Sequence, residues 1–167
     1  MKSRFILCLA LLACASFVDA APIKIHFISG AREYKSEASL KEFIPWLEKS
    51  YGVKCTVSWG YDGIKELPNL APLKEADVLF VFARRMKLGE DQMTLIRAHW
   101  EAGKPVVGVR TASHAFQNWL SFDEKVLGGN YKMHWKHGPK AKVRFEPKSV
   151  NHPLVEGVME FDSAGRH

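Results

Sequence analysis

The chain has 167 residues and a formal net charge of +6 at pH 7, with 24 Lys and Arg residues against 18 Asp and Glu residues. Apart from a cluster between positions 132 and 148, the basic residues are scattered. Nucleic-acid binding calls for a basic stripe with interleaved aromatic side chains, so this pattern excludes nucleic acid as the expected partner. The length fits one domain, and no linker indicates a second one.

The first twenty residues predict a secretory signal peptide. They contain a positively charged start, an apolar stretch at residues 5–15, and small residues before a cleavage point ahead of Ala21. The apolar stretch is too short for a comfortable membrane span. We therefore expect a periplasmic or secreted protein whose mature chain has no transmembrane segment. A minor alternative is lipoprotein cleavage, which would leave Cys14 as a lipidated N-terminus.

Four short strands are predicted next, at residues 23–28, 53–59, 77–83 and 106–109. The second alternates polar and apolar residues, which indicates a half-buried or edge strand. The third is a continuous apolar run, typical of a strand covered on both faces, and the fourth is expected to be a further central strand. Cys55 is the single cysteine after the signal and is expected to be a buried core thiol. Regularity fades beyond residue 120, with one more strand expected at residues 141–146.

Two helices are predicted between these strands, because apolar residues recur at helical spacing. The first contains Leu40, Phe43, Ile44, Leu47 and Tyr51, with Ser36 or Ser39 as N-cap and Gly52 as its end. The second contains Met93, Ile96 and Trp100 and ends at Gly103. Alternating strands and helices with short connections predict an α/β fold with a parallel sheet flanked by helices. Ligands of such folds bind at the carboxyl edge of the sheet, where loops 29–36, 83–89 and 110–114 should meet.

The segment at residues 105–116 has the outline Pro-x-x-Gly-x-Arg-x-Ala-x-His. This is the layout of a strand–elbow–helix turn, which usually presents a nucleophilic Cys or Ser at its tip. Here the tip is Arg110, and no cysteine lies near it. Arg110 could donate to an anion or a sugar oxygen, and His114 could act as acid or base. The alternative is that Arg110 pairs with a local carboxylate and simply holds the turn.

Other polar and aromatic residues also have two interpretations. Tyr34 and Ser36 follow the first strand and could bind substrate hydroxyls, although Ser36 could equally be a helix N-cap and Glu37 a first-turn acid. His152 could line a pocket or serve as a bend residue. Trp119, Tyr131 and Trp135 could stack on a sugar face, although aromatic side chains of this kind more often belong to a core.

The histidines suggest a possible zinc site. His134-x-x-His137 could supply two ligands, with His114 and a carboxylate completing the set of three or four that zinc requires. The alternative is that these are ordinary surface or core histidines. His26 and His99 are expected to pack in a strand and in a helix.

Several segments together resemble the ThuA-like (trehalose utilisation) family. They are ISGAREYKS, FVFARR, LGEDQMTLIRAHWEAGKPVVGVR, SHAFQNW, VLGGNYKMHW and NHPLVEGV, in matching order and spacing over nearly all of residues 22–167. The resemblance implies a flavodoxin-like three-layer sandwich with a central, mainly parallel sheet, as in class I glutamine amidotransferases. Family domains usually continue beyond the point where this chain ends, so we expect residues 22–167 to be a domain truncated at its C-terminal end.

The resemblance also bears on chemistry. Amidotransferases have their nucleophilic Cys at the position of Arg110, so glutaminase activity is not expected. Many ThuA-like sequences have His there, and this chain departs from that pattern too. The histidines that match the family are His114, His134 and His152. The link of the family to carbohydrate use implies a small-molecule sugar partner.

These observations lead to one main hypothesis and two alternatives. The main hypothesis is an exported ThuA-like domain that binds or acts on a sugar, with His114 as acid or base, Arg110 holding an oxygen, and His134 and His152 in the pocket. One alternative is a non-catalytic carbohydrate-binding or scaffolding module of a larger exported protein, dependent on Tyr34, Trp119 and Trp135. The other is a zinc-dependent hydrolase that uses His134 and His137. The oligomeric state is left open.

Overall fold

The computed structural model describes residues 21–133 and 140–163. Its strands are β1 (Lys24–Gly30), β2 (Lys54–Trp59), β3 (Val78–Ala83), β4 (Val106–Gly108), β5 (Lys142–Val143) and β6 (Phe161–Asp162). Its α-helices are α1 (Ser36–Tyr51), α2 (Glu90–Glu101) and α3 (Phe122–Lys125). Short 3₁₀ helices cover Arg32–Tyr34, Ala71–Glu75, Arg110–His114, Pro147–Ser149 and Pro153–Val155.

The first four strands form one parallel sheet in the order β2-β1-β3-β4. Phe27 of β1 lies opposite Val57 of β2 on one side and Phe80 of β3 on the other. Because all four strands run in the same direction, their carboxyl ends lie along one edge. The predicted α/β fold with a parallel sheet is confirmed.

The sheet separates two cores, because successive side chains of a strand point to opposite faces. One core joins α1 to the sheet through Phe27, Leu40, Ile44 and Phe82. The other joins α2 to the sheet through Ile28, Val81, Met93 and Ile96. The result is the three-layer arrangement expected of a flavodoxin-like fold.

Most elements lie where the sequence places them. β2 is an edge strand and β3 an internal one, as their polarity patterns predicted. α1 ends at Gly52, which adopts the left-handed conformation (φ 63°) that glycine favours. The expectation that β4 is central is wrong within the described residues: β4 lies at the edge, and Val107 is 41% exposed. A short apolar run does not distinguish a covered strand from an edge strand.

His26 and His99 pack in the interior, as predicted. The His26 ring lies between the hydroxyls of Thr56 (2.8 Å) and Ser58 (3.1 Å), and burial, assisted by the charge of His99, lowers its pKa to about 4. The Nε2 atom of His99 lies 3.2 Å from the carbonyl oxygen of Pro105. Both residues are structural links between elements.

A second compact unit begins at Asn130. In it, β5 and β6 pair antiparallel, and Arg144 donates to Asp162 at 2.8 Å and to the carbonyl oxygen of Phe161 at 3.1 Å. β5 covers only two residues of the strand predicted at 141–146, and its partner β6 is equally short. Among residues 21–133 and 140–163, no helix has the length and apolar character needed to cross a bilayer.

Candidate functional site

The elbow after β4 has the backbone strain that its sequence outline suggested. Arg110 adopts the left-handed conformation, with φ 59°, which costs an L-residue about 1 kcal/mol. The turn is too tight for a side chain at Gly108. A Cβ atom there would lie 2.8 Å from the Leu127 side chain and 3.1 Å from the Cβ atom of Ala112. Thr111 fastens the turn to β3 by donating its hydroxyl to the carbonyl oxygen of Ala83 at 2.9 Å.

The segment that follows the elbow differs from the prediction. A regular helix was expected after the tip, but Arg110–His114 is a five-residue 3₁₀ helix. So short a helix has little macrodipole, so its N-terminus adds little attraction for an anion. The side chains of the elbow are therefore the charged groups to consider for ligand binding here.

Arg110 contacts an aromatic ring rather than a carboxylate. Its guanidinium carbon lies 4.3 Å from the centre of the Tyr34 ring, close enough for a cation–π interaction. Within the described residues Arg110 forms no ion pair. The alternative that a local carboxylate holds this arginine is therefore wrong there. Tyr34 follows β1, so the contact joins two of the loops predicted to meet.

A second arginine at the same edge is held by two acids. Arg84, directly after β3, donates to Asp62 at 2.6 Å and lies 3.4 Å from Glu33. The hydrogen bond to Asp62 raises the pKa of Arg84, so its charge is permanent. The Oδ1 atom of Asp62 is buried, and no group in the described part of the chain donates to it. A buried carboxylate oxygen without a donor is unusual in a folded protein and marks Asp62 as a residue of interest.

His114 is half-buried at the end of the 3₁₀ helix, and its Nδ1 atom lies 3.0 Å from the hydroxyl of Ser113. Its pKa is lowered, first by burial and then by the positive charges of Arg84 and Arg85, against smaller opposing effects of nearby acids. The imidazole is therefore neutral at neutral pH, the state in which it can accept a proton.

We refer to Glu33, Tyr34, Asp62, Arg84, Arg110 and His114 as the strand-end cluster. Beside it lies a pocket of about 320 Å³ lined by Arg32, Glu33, Tyr61 and Asp62. The sequence predicts Tyr34, Arg110 and His114 as site residues, but not Glu33, Asp62 or Arg84. The signal was present, since Asp62 follows a predicted strand whose carboxyl end must lie at the same edge.

Ser36 is placed differently from the prediction. It is buried, its hydroxyl lies 2.9 Å from that of Ser29, and it accepts a hydrogen bond from the Ala31 N–H at 2.9 Å. The N-cap of α1 is Lys35, in the left-handed conformation, and not Ser36 or Ser39. Ser36 therefore fixes the loop that carries Tyr34.

Other predicted binding residues lie elsewhere or outside the described ranges. His152 is an exposed residue of the second unit whose Nδ1 atom accepts a hydrogen bond from the Leu154 N–H at 3.2 Å, as a bend residue would. Trp119 packs against Trp100 and Phe122, with ring centres 5.9 and 5.1 Å away. Three predicted residues lie outside the described ranges: His134, Trp135 and His137.

The zinc prediction depends on residues outside those ranges. Among residues 21–133 and 140–163, no group of three or more His, Cys, Asp or Glu side chains is placed to bind a metal ion. Since His134 and His137 are not among them, the zinc site stays a prediction.

Comparison with known proteins supports the fold. No protein-family model matches the sequence, and no curated protein matches it. A solved structure from Bacteroides uniformis, provisionally named a ThuA-like protein, is similar with a TM-score of 0.63 and 17% identity. The match covers 91% of this chain and 62% of that one, so this chain spans less than two thirds of its length. The predicted resemblance to ThuA-like proteins is confirmed at the level of the fold.

Proposed function

We propose that this chain is an exported ThuA-like domain that binds a sugar or sugar derivative at the strand-end cluster and transfers a proton on it. The observation that carries the proposal is the elbow itself. A strained turn presents Arg110 over Tyr34 and ends in a neutral His114. Strained backbone is often retained at sites where its geometry serves function.

Each side chain of the cluster has a role that follows from its chemistry. His114 accepts a proton from a substrate hydroxyl, or from a carbon next to a carbonyl, and becomes an imidazolium. Arg110 donates to the oxygen on which negative charge develops. The positive charges of Arg84 and Arg85, which lower the pKa of His114, also favour return of that proton in the next step. Asp62 lines the adjoining pocket and is the acceptor for a second hydroxyl.

The proposal excludes glutaminase chemistry. The elbow presents a guanidinium, which cannot form a thioester. The free thiol of Cys55 belongs to the second residue of β2, at the opposite end of that strand from the cluster. Burial, assisted by the charge of Glu48, raises its pKa to about 11, so little thiolate exists at neutral pH. Purified protein should release no ammonia from glutamine.

Export is part of the proposal and rests on the first twenty residues of the sequence. N-terminal sequencing of protein secreted by a bacterial host should begin at Ala21. A lipidated N-terminal Cys14 would instead identify a lipoprotein.

The function is tested with a thermal-shift screen of neutral and acidic mono- and disaccharides, followed by calorimetry on two variants. Arg110→Gln should weaken binding of the best ligand about tenfold or more, the range for a lost charge-assisted hydrogen bond. His114→Gln should lower turnover by about 10²- to 10⁴-fold, the usual contribution of general acid–base catalysis.

Arg97→Gln is the matched control, because Arg97 also lies over an aromatic ring, Trp119, at 5.6 Å, but on α2. It should behave as wild type. Full turnover in both Arg110→Gln and His114→Gln would contradict the assignment. Binding that survives both, but not the loss of Tyr34, Trp119 or Trp135, would support the non-catalytic module. Stoichiometric zinc with activity lost to a chelator would support the hydrolase.

A further inference from the structure

A larger pocket lies beside the strand-end cluster and plays no part in the function proposed so far. Its volume is about 580 Å³, within the range of small-molecule sites. It lies between the first turn of α1 and the end of β2, and we call it the α1 pocket. Its lining side chains include Arg32, Lys35, Glu37, Lys41, Trp59 and Tyr61.

The α1 pocket carries an excess of positive charge. Three cations and one carboxylate line it, and the carboxylate of Glu37 is paired with Lys41 at 2.6 Å. Within the described residues, Arg32 and Lys35 form no ion pair. Two cations are therefore left to attract an anionic group on a ligand.

Two aromatic side chains give the pocket its apolar surface. Trp59 ends β2, and Tyr61 follows two residues later with half of its surface exposed. Arg32 lies 5.8 Å from the centre of the Tyr61 ring, and Lys41 lies 5.8 Å from that of Trp59. Aromatic faces with cations beside them suit a ring that has apolar C–H faces and a charged substituent.

The walls of the α1 pocket are held in place before any ligand arrives. Buried Ser36 ties the start of α1 to Ser29 and Ala31, and the Gly60 N–H donates to the carbonyl oxygen of Ser29 at 2.8 Å. Both walls are thus fixed to the end of β1. Such preorganisation lowers the entropy cost of binding.

The α1 pocket adjoins the smaller pocket beside the strand-end cluster. It shares Arg32 and Tyr61 with the 320 Å³ pocket, which is also lined by Glu33 and Asp62, the two acids that hold Arg84. A ligand that occupies both pockets would therefore lie across Arg32 and Tyr61.

We infer that the α1 pocket binds the anionic group of an acidic sugar, a carboxylate or a phosphate ester, and so makes the site selective for charged over neutral sugars. The inference rests on the proposed function, since it assigns a substrate class to that site. Arg32 and Lys35 recognise the charge, while Trp59 and Tyr61 pack against the ring.

The test is calorimetry on the whole chain with three probes: glucose, glucuronate and glucose 6-phosphate. Wild-type protein should bind at least one acidic probe about tenfold more tightly than glucose, and this preference should shrink as salt is added. Preference for glucuronate or for the phosphate identifies the acidic group. The double variant Arg32→Gln/Lys35→Gln should reduce the ratio of acidic to neutral affinity by about tenfold.

Lys49→Gln is the matched control, because Lys49 is an exposed lysine in the last turn of the same helix. It should leave the ratio unchanged. Equal affinity for glucose and both acidic probes in wild type, or an unchanged ratio in the double variant, would overturn the inference. Acidic binding that depends on Arg32 and Lys35 but not on Arg110 supports the α1 pocket while rejecting the proposed function. Glucose binding that depends on Arg110 but shows no preference for the acidic probes would support the proposed function and reject the inference about the α1 pocket.

Discussion

The guanidinium of Arg110 lies 4.3 Å from the ring centre of Tyr34, and this contact joins the end of β4 to the end of β1 across β3. An exposed cation–π interaction contributes about 0.5–1 kcal/mol. The left-handed backbone of Arg110 costs about the same. The pair therefore adds little net stability to the fold.

This balance predicts an unusual outcome for Arg110→Gly. Glycine relieves the backbone strain but loses the contact with Tyr34, so the free energy of unfolding should stay within about 1 kcal/mol of wild type. Sugar binding should nevertheless weaken about tenfold or more, as in Arg110→Gln. Urea denaturation and calorimetry measure the two effects. Arg110→Val is the comparison, because a β-branched residue is strained at positive φ. This variant should have a lower free energy of unfolding than Arg110→Gly, and equal values for the two would contradict the strain argument.

The pH profile of turnover should report the charge around His114. Since Arg85 helps to lower the pKa of His114, Arg85→Gln should shift the acidic limb of kcat/KM to higher pH. The backbone amide of Arg85, which donates to the His114 carbonyl oxygen, is retained in this variant. Lys87→Gln removes a nearby exposed charge and should leave the limb in place. If the acidic limb of kcat/KM does not move in Arg85→Gln, His114 is not the base that the limb reports.

Stability should fall as the pH drops below neutral. The pKa of His26 is about 4 in the folded protein against an ordinary 6.5, so the unfolded chain binds more protons between these values. The contribution is complete above pH 6.5 and is lost progressively as the pH falls towards 4. This difference between the folded and unfolded pKa of His26 corresponds to on the order of 3 kcal/mol of unfolding free energy.

Urea denaturation between pH 7.5 and pH 4.5 measures this loss. His26→Gln should be less stable at pH 7.5, because the hydroxyls of Thr56 and Ser58 lose their fitted partner, yet its stability should depend less on pH. A wild-type stability that is constant or rises towards pH 4.5 would show that His26 is not buried in its neutral form.

Two ion pairs of equal length should differ in energy because they differ in exposure. Arg84–Asp62 and Lys41–Glu37 both measure 2.6 Å, but the side chains of the first pair are 20% and 30% exposed and those of the second 62% and 61%. Double-mutant cycles with Gln and Asn replacements should give a coupling of about 1 kcal/mol or more for the first pair and about 0.5 kcal/mol or less for the second. Equal couplings would show that Arg84 is held no more firmly than a surface lysine.

The sequence contained most of the sheet and half of the cluster. Apolar runs and helical spacing located β1, β2, β3, α1 and α2, because these periodicities follow directly from which face is buried. Arg110 and His114 could be placed at the carboxyl edge because they follow β4 along the chain.

The contacts across the edge could not be predicted in the same way. Arg84 and Asp62 are 22 positions apart in the sequence and form a hydrogen bond only because β2, β1 and β3 lie side by side in that order. Polarity patterns do not encode strand order. The position of Ser36 predicts either a helix cap or a substrate-binding hydroxyl, but the close approach of Ser29 gives this hydroxyl a buried partner. Local rules do not anticipate such tertiary contacts.

The most direct test of the central claim is a sugar titration of ¹⁵N-labelled protein followed by amide chemical shifts. With the best ligand from the screen, we expect shifts concentrated at residues 31–36, 60–63, 83–86 and 109–115, and smaller shifts at the same ligand concentration in Arg110→Gln. Shifts confined to other parts of the chain, or equal shifts in wild type and Arg110→Gln, would contradict sugar binding at the strand-end cluster.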